Sequence, residues 1–330
     1  MINKNVMYSL RDINIVPKII TNIESRSKCN PFVTNIEGTK DGFLPIITAP
    51  MSCVLSDLNY KEYQDQGIST IIPRTIDSKK RVDLMTSVFC AFSMSEAKDI
   101  LNFPIPENNE SYYILLDMAN GHMKEQIDLG KQLKNKFGEK IKLMGGNIAN
   151  PETYKLYELA GFDYLRIGIG GGNSCLSSTQ TGIHYGMASL ISDTCDLRGK
   201  DYKCKIIADG GIGGFSDVIK CLALGADYVM CGRIFTKAAK SGEEIGDLVN
   251  YYGMSTKKAQ LEMGKSCLKT SEGREVILKK EYTLPGWVEN MRDYLRSTMS
   301  YCDSIDLREF KEKAECRLVS QSTSSMVNDK

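Results

Sequence analysis

Histidine is scarce in this chain, and nothing groups its cysteines for a metal. Two imidazoles, His122 and His184, stand in 330 residues, and the eleven cysteines include no C-x-x-C pair. A structural zinc needs four such ligands at close spacing, so none is expected. The cysteines fall at 29, 53, 90, 175, 195, 204, 221, 231, 267, 302 and 316. They are scattered and odd in number, which argues against a disulfide framework. No apolar run approaches the roughly 18 residues of a membrane span, and MINKNVMYSLRDINIVPK lacks the apolar centre of a secretory signal. An excess of one charge is missing as well: 42 Lys and Arg against 41 Asp and Glu leave +1. Neither a nucleic-acid surface nor an acidic tail is indicated. The expectation is a soluble, cytoplasmic protein that binds neither nucleic acid nor membrane.

Apolar residues make up 42% of the chain, enough for a large core. They gather in eight short runs rich in β-branched and aromatic residues: LPIITAP (44–50), GISTIIP (67–73), SVFCAFS (87–93), YYILLDM (112–118), KIKLMGG (140–146), DYLRIGIG (163–170), KIIADGG (205–211) and DYVMCG (227–232). Several are almost wholly apolar, as parallel strands buried on both faces are. Segments of helical spacing separate most of them, among them MSEAKDILN, HMKEQIDLGKQLKNKFG, NPETYKLYELAG and GFSDVIKCLALGA. Eight strand–helix units point to an α/β protein, a (β/α)8 TIM barrel, rather than a doubly wound sheet. Residues 1–320 are read as one barrel domain, with a long polar flap after strand 8 at about 241–284 and a disordered tail at 321–330.

Chemistry in such a barrel gathers at the carboxyl ends of the strands. There the sequence puts Asp117, Asn147, the loop from Gly170 to Cys175, Asp209 and Gly232. The glycine-rich turns ADGGIGG (208–214) and CGR (231–233) follow the seventh and eighth runs, where backbone N–H groups of this fold often hold a phosphate. Asp209 suits ribose hydroxyls better than phosphate. Cys175 ends the glycine-rich loop RIGIGGGNSC at the same mouth, where a thiol can act as a nucleophile. Taken alone, a loop cysteine is more often incidental, and Glu272 in KTSEGRE more often merely solvated. The residues themselves thus reach a nucleotide-handling barrel with a candidate thiol.

RIGIGGGNSCLSSTQTG (166–182) resembles the cysteine loop of the IMP dehydrogenase/GMP reductase family, GIGPGS-x-C-[ST]-T. LLDMANGH, GGNIANPE, ADGGI, VMCG and YYGMS resemble that family's other motifs, and the similarity runs from about residue 6 to 320. Thr181–Gly182, SEGREV (271–276) and RSTMSYCDSIDLREFKEKAECRLVSQ (296–321) resemble the GMP reductase branch. The insertion in which dehydrogenases commonly carry a regulatory domain is missing, as is their water-activating Arg-Tyr pair on the flap. The resemblance implies an NADPH-dependent oxidoreductase that converts GMP to IMP and ammonia through a thioimidate on Cys175, with Ser177 and Glu272 handling protons. It further implies that Asn173, Asp209, Gly210, Gly211, Gly232, Arg233, Gly253, Met254, Ser255 and Ser271 bind the purine mononucleotide, and that Asp117 and Arg74 bind the cofactor. A K+ ion near Gly170, Gly172 and Cys175 and a homotetramer are implied in the same way.

Two of the departures, at Asn173 and Arg233, fall at the phosphate end of that substrate. Asn173 replaces a phosphate-contacting serine, Arg233 the second glycine of the phosphate turn, Gly171 a proline and Ser177 a threonine. Three alternatives therefore stay open: IMP dehydrogenase, a divergent member acting on a deoxy or otherwise modified guanine nucleotide, and a purine-nucleotide-binding protein without catalysis.

Overall fold

The computed structural model describes residues 5–172, 175–199, 201–238, 244–271 and 273–328. After a first strand, β1 (Ile13–Val16), each of the eight apolar runs yields one strand: β2 (Ile46–Thr48), β3 (Ile71–Ile72), β4 (Phe89–Phe92), β5 (Tyr112–Leu116), β6 (Ile141–Ile148), β7 (Tyr164–Ile167), β8 (Lys205–Asp209) and β9 (Tyr228–Cys231). These eight form one sheet in the order β2-β9-β8-β7-β6-β5-β4-β3, every pair parallel. A parallel bridge between Ile47 and Ser69 joins the two ends of that order into a ring. Helices Tyr60–Asp65, Ser78–Leu84, Met94–Ile100, Lys124–Phe137, Thr153–Leu159, Met187–Asp196 and Phe215–Ala223 follow successive strands, and Leu284–Tyr301 completes the last unit. The protein is a (β/α)8 barrel, as the alternation of runs and helical spacings predicts.

The pleat of each strand divides its side chains between two cores. Phe89 and Ala91 of β4, Tyr113 and Leu115 of β5, Ile207 of β8, and Tyr228 and Met230 of β9 point into the cylinder. Their neighbours Cys90, Phe92, Ile114, Leu116, Ile206, Val229 and Cys231 pack outward against the helices. Both faces are dry, which is why these runs read as continuously apolar. The helices supply the complementary stripe. In Lys124–Phe137 the buried residues are Gln126, Leu129, Gly130, Leu133 and Phe137, one face at helical spacing. Met94–Ile100 opens with a capping box between Ser93 and Glu96.

Two features were not foreseen. Strand β1 pairs antiparallel with β13 (Glu315–Leu318), from Ile13 opposite Leu318 to Val16 opposite Glu315. The flap has its own order: β10 (Glu244–Ile245), β11 (Leu248–Tyr252) and β12 (Glu275–Lys279) form an antiparallel sheet, with helix Lys257–Glu262 between the last two. Gln321–Asn328, within the segment read as a disordered tail, is helical, and Ser324 Oγ donates to Arg11 O at 2.7 Å. No helix among the described residues is long and apolar enough to cross a membrane.

The end of the barrel opposite the strands' carboxyl ends is stoppered by the segment around Ile36. Tyr164 and Tyr228 donate to Ile36 O and Thr34 O at 2.7 and 2.9 Å. Next to Ile36, Glu37 is 5% exposed; its Oε1 accepts from Phe89 N at 3.3 Å, while Oε2 has no hydrogen-bond partner among the described residues. Burial pushes its carboxyl up to about 7. The folded protein therefore holds that proton more tightly than the unfolded chain does. The resulting stability is present below the ordinary carboxyl range and lost as pH rises through about 7. Glu37→Gln is expected to remove this loss and gain roughly 3 kcal/mol over wild type on going from pH 5 to pH 8. Urea unfolding of both proteins at the two pH values checks it, and parallel pH trends would show that the carboxyl is not held neutral.

Candidate active site

The strand ends and the flap enclose one cavity of about 470 Å³ at the carboxyl-end rim. Asp117 lies just past β5, Asn147 within the end of β6, Arg166 in β7, and Gly168–Gly172 and Cys175 in the loop after it. Asp209 ends β8 and Gly210 and Gly211 follow; Gly232 and Arg233 follow β9; Gly253, Met254 and Ser255 come from the flap. Elements far apart in the chain thus meet at one place. Asn173 and Glu272 lie outside the described residues.

Cys175 is half-buried in the wall, 3.3 Å from Ser177 Oγ. Its N–H donates to Gly172 O at 2.9 Å, and its backbone forms an antiparallel bridge with Gly273 of the flap. Ser177 begins the short helix Ser177–Thr181, which ends at Gly182 in the left-handed conformation. The cysteine loop lies backbone-on-backbone over the turn after β8. A Cβ on Gly211 would stand 3.2 Å from Gly171 O, and one on Gly210 would stand 3.3 Å from Gly172 N, with φ at +77° and +105° respectively. Two glycine-rich segments are needed because neither leaves room for side chains between them.

The polar floor is tightly bonded. Arg166 donates from NH1 to Asp117 Oδ1 at 2.7 Å, and from Nε and NH2 to Asp209 Oδ2 at 3.1 and 2.9 Å. Asn147 Nδ2 reaches the same Asp209 Oδ2 at 2.7 Å. Arg74 donates from NH1 to Asp117 O at 2.9 Å and has Met263 Sδ 3.5 Å from NH2. Arg233 opens the short helix Arg233–Thr236, and its guanidinium has no hydrogen-bond or ion-pair partner among the described residues. Burial, then the charges of Arg74 and Lys269, push the Lys265 ammonium down. With Arg74, Arg166, Arg233 and Lys265 against Asp117 and Asp209, the lining carries an excess of positive charge among the described residues and favours an anion.

Ser271 turns its hydroxyl to Gly273 O at 2.7 Å and is not one of the lining residues. Gly170 O accepts from Ser178 Oγ and Gly172 O from Cys175 N, both at 2.9 Å. His122 is turned to structure, with Thr153 Oγ1 at its Nδ1 and Ala149 N donating to Nε2, both at 3.0 Å. Sequence reasoning missed Arg166 and Lys265. The signal for Arg166 was a lone charge inside the apolar run DYLRIGIG.

Fold and cavity together define a (β/α)8 barrel with a cysteine loop set over glycine turns at an anion-attracting mouth. The sequence model of the IMP dehydrogenase / GMP reductase domain matches residues 107–329, and the chain belongs to that family. It is similar to the GMP reductase of Vibrio vulnificus strain YJ016, 27% identical over 335 residues that cover 94% of each chain. It is also similar to that of Staphylococcus aureus strain JH9, 28% identical over 319 residues, 92% of this chain and 94% of the relative.

Gly168, at the foot of the cysteine loop, has φ +127°, and a Cβ there would collide with Asp209 O and Met187 Cε. Gly168→Ala is expected to cost roughly 2–4 kcal/mol of stability in urea unfolding. A loss below about 0.5 kcal/mol would mean that loop and β8 end are less closely apposed than described.

Proposed function

We propose that this protein is a GMP reductase, an oxidoreductase that converts GMP to IMP and ammonia with NADPH. The observation that carries the reading is the meeting, in one cavity, of a thiol, a neighbouring hydroxyl, two anchored carboxylates and the glycine turns after β8 and β9. The names of relatives that match nearly the whole chain support it.

In this reading Asp209 takes the ribose hydroxyls, and Gly210, Gly211 and Gly232 give N–H groups to the 5′-phosphate. Met254 and Ser255 of the flap meet the base, with Gly253 allowing the turn toward it. Cys175 Sγ, as thiolate, bonds to C2 of guanine; the C2 amine leaves as ammonia, and a thioimidate remains. Ser177, close to that sulfur, relays a proton to the departing amine, with Glu272 as its partner by resemblance. NADPH, when bound beside Asp117 and Arg74, supplies the hydride for C2. The C–S bond then breaks, IMP leaves, and Cys175 is free again. No step runs through K+.

Purified protein should oxidise NADPH and release ammonia with GMP, and show no comparable NAD reduction with IMP; the reverse pattern would make it an IMP dehydrogenase. Cys175→Ala should lose turnover by at least about a thousandfold while GMP still raises the melting temperature. Persistent turnover refutes the assigned role, whereas GMP binding without turnover in the wild type would mark a non-catalytic binder.

The guanidinium of Arg233, without a hydrogen-bond or ion-pair partner among the described residues, favours direct pairing with the nucleotide phosphate, a contact beyond the backbone cradle. Arg233→Ala should raise the KM for GMP roughly tenfold and change kcat by less than about threefold. An unchanged KM would exclude that contact, and a panel including dGMP shows whether the altered turn changes nucleotide preference.

A further inference from the structure

We propose that Arg166 is the positioning residue that joins the two halves of the cavity, holding Asp209 for the nucleotide and Asp117 for the cofactor at once. The inference rests on the assignment of those two carboxylates in the proposed function.

The three donor nitrogens of Arg166 are spent on the carboxylates: Nε and NH2 on Asp209 Oδ2, NH1 on Asp117 Oδ1. Its side chain is 10% exposed, and all of β7 around it is buried. Arg166 therefore acts through the aspartates. Asp209 Oδ2, which also accepts from Asn147, has three bonds, and no further bond is made by Oδ1 among the described residues. Asp117 Oδ2 forms an ion pair with the Arg74 guanidinium at 3.9 Å, beyond hydrogen-bond reach. Each carboxylate is thus hydrogen-bonded to Arg166 through one oxygen only, and the other keeps hydrogen-bonding capacity for a ligand.

A guanidinium can do this because its planar fork bonds along two edges; an ammonium is a point charge and cannot hold the same pair in register. Burial works against the charge on Arg166, but Asp209 and Asp117 outweigh it and push the group up, so it stays a cation. Space for it comes from the neighbouring strand. Gly146 lies where any Cβ would strike the Arg166 backbone and Cβ. A barrel built for stability alone would do as well with an apolar residue at this position. Two half-satisfied carboxylates facing a cavity instead suit ligands that bring hydroxyl and amide donors.

The test is steady-state kinetics on Arg166→Lys and Arg166→Met beside Asp117→Asn and Asp209→Asn. Arg166→Lys should raise the KM for GMP and for NADPH together, each by about tenfold, with kcat within about threefold. Arg166→Met should be worse on both, and the lysine variant should rescue part of the loss. Asp209→Asn should act chiefly on the GMP value and Asp117→Asn chiefly on the NADPH value. A lysine variant that shifts one KM or neither, or that lowers kcat alone, overturns the proposal; so does a fall in melting temperature with both KM values unchanged. Should the methionine variant fail to fold, the lysine variant decides. If the wild type uses IMP and NAD instead, the functional reading fails while the same comparison, made with that pair, still judges Arg166. A wild type that turns over neither pair sinks both.

Discussion

A parallel ladder has one polarity, so a ring of eight parallel strands delivers every carboxyl end to the same rim. All else at the candidate site depends on that constraint. Asp117, Asn147, Arg166, Asp209 and Gly232 are distant along the chain, yet each occupies the last residues of its strand or the first residues beyond it. The cylinder below them is solid. Phe89, Tyr113, Tyr164 and Tyr228 fill it with tilted and edge-on ring contacts. A ligand can therefore sit on the barrel but not in it, and specificity falls to loops and to the few polar side chains that break the apolar pattern.

Those polar groups carry an energetic cost that the fold accepts at one place. Two carboxylates and a guanidinium lose most of their water beneath the mouth, and their mutual bonds offset that loss in part. Above them Arg74, Arg233 and Lys265 leave the lining short of negative charge. In the proposed function a nucleotide brings hydroxyl donors to the aspartates and an anionic group to the cations. The glycine segments add direction: backbone N–H groups need no rotamer ordering, so their dipoles are aimed before any ligand arrives.

The barrel was legible in the sequence because parallel strands buried on both faces read as apolar runs and because helices with caps and stripes lie between them. The cysteine loop and its opposing turn were legible as glycine density, since close backbone approach leaves that mark. Arg166 was not, because a single charge inside DYLRIGIG looks like an exposed strand position until its two partners are brought beside it. The β1–β13 pair escaped for a related reason: INIV and ECRL are only four residues long, too short for their pattern to mark a strand, and register between such segments is set by tertiary contact. The flap was legible as a long polar stretch after strand 8, but its sheet was not: Tyr251 and Tyr252, buried in its central strand, stand as isolated aromatics in that stretch.

The ribbon formed by β1 and β13 ties the chain's first strand to its last. Closing that loop costs more conformational entropy than any single contact between neighbouring barrel units. It packs against the helix Phe215–Ala223, a surface that exists only once most of the barrel has been made. The ribbon is thus a late clasp in assembly: a nascent chain still on the ribosome, with its last strand in the exit tunnel, can build its strand–helix units in turn but cannot fasten the band around them.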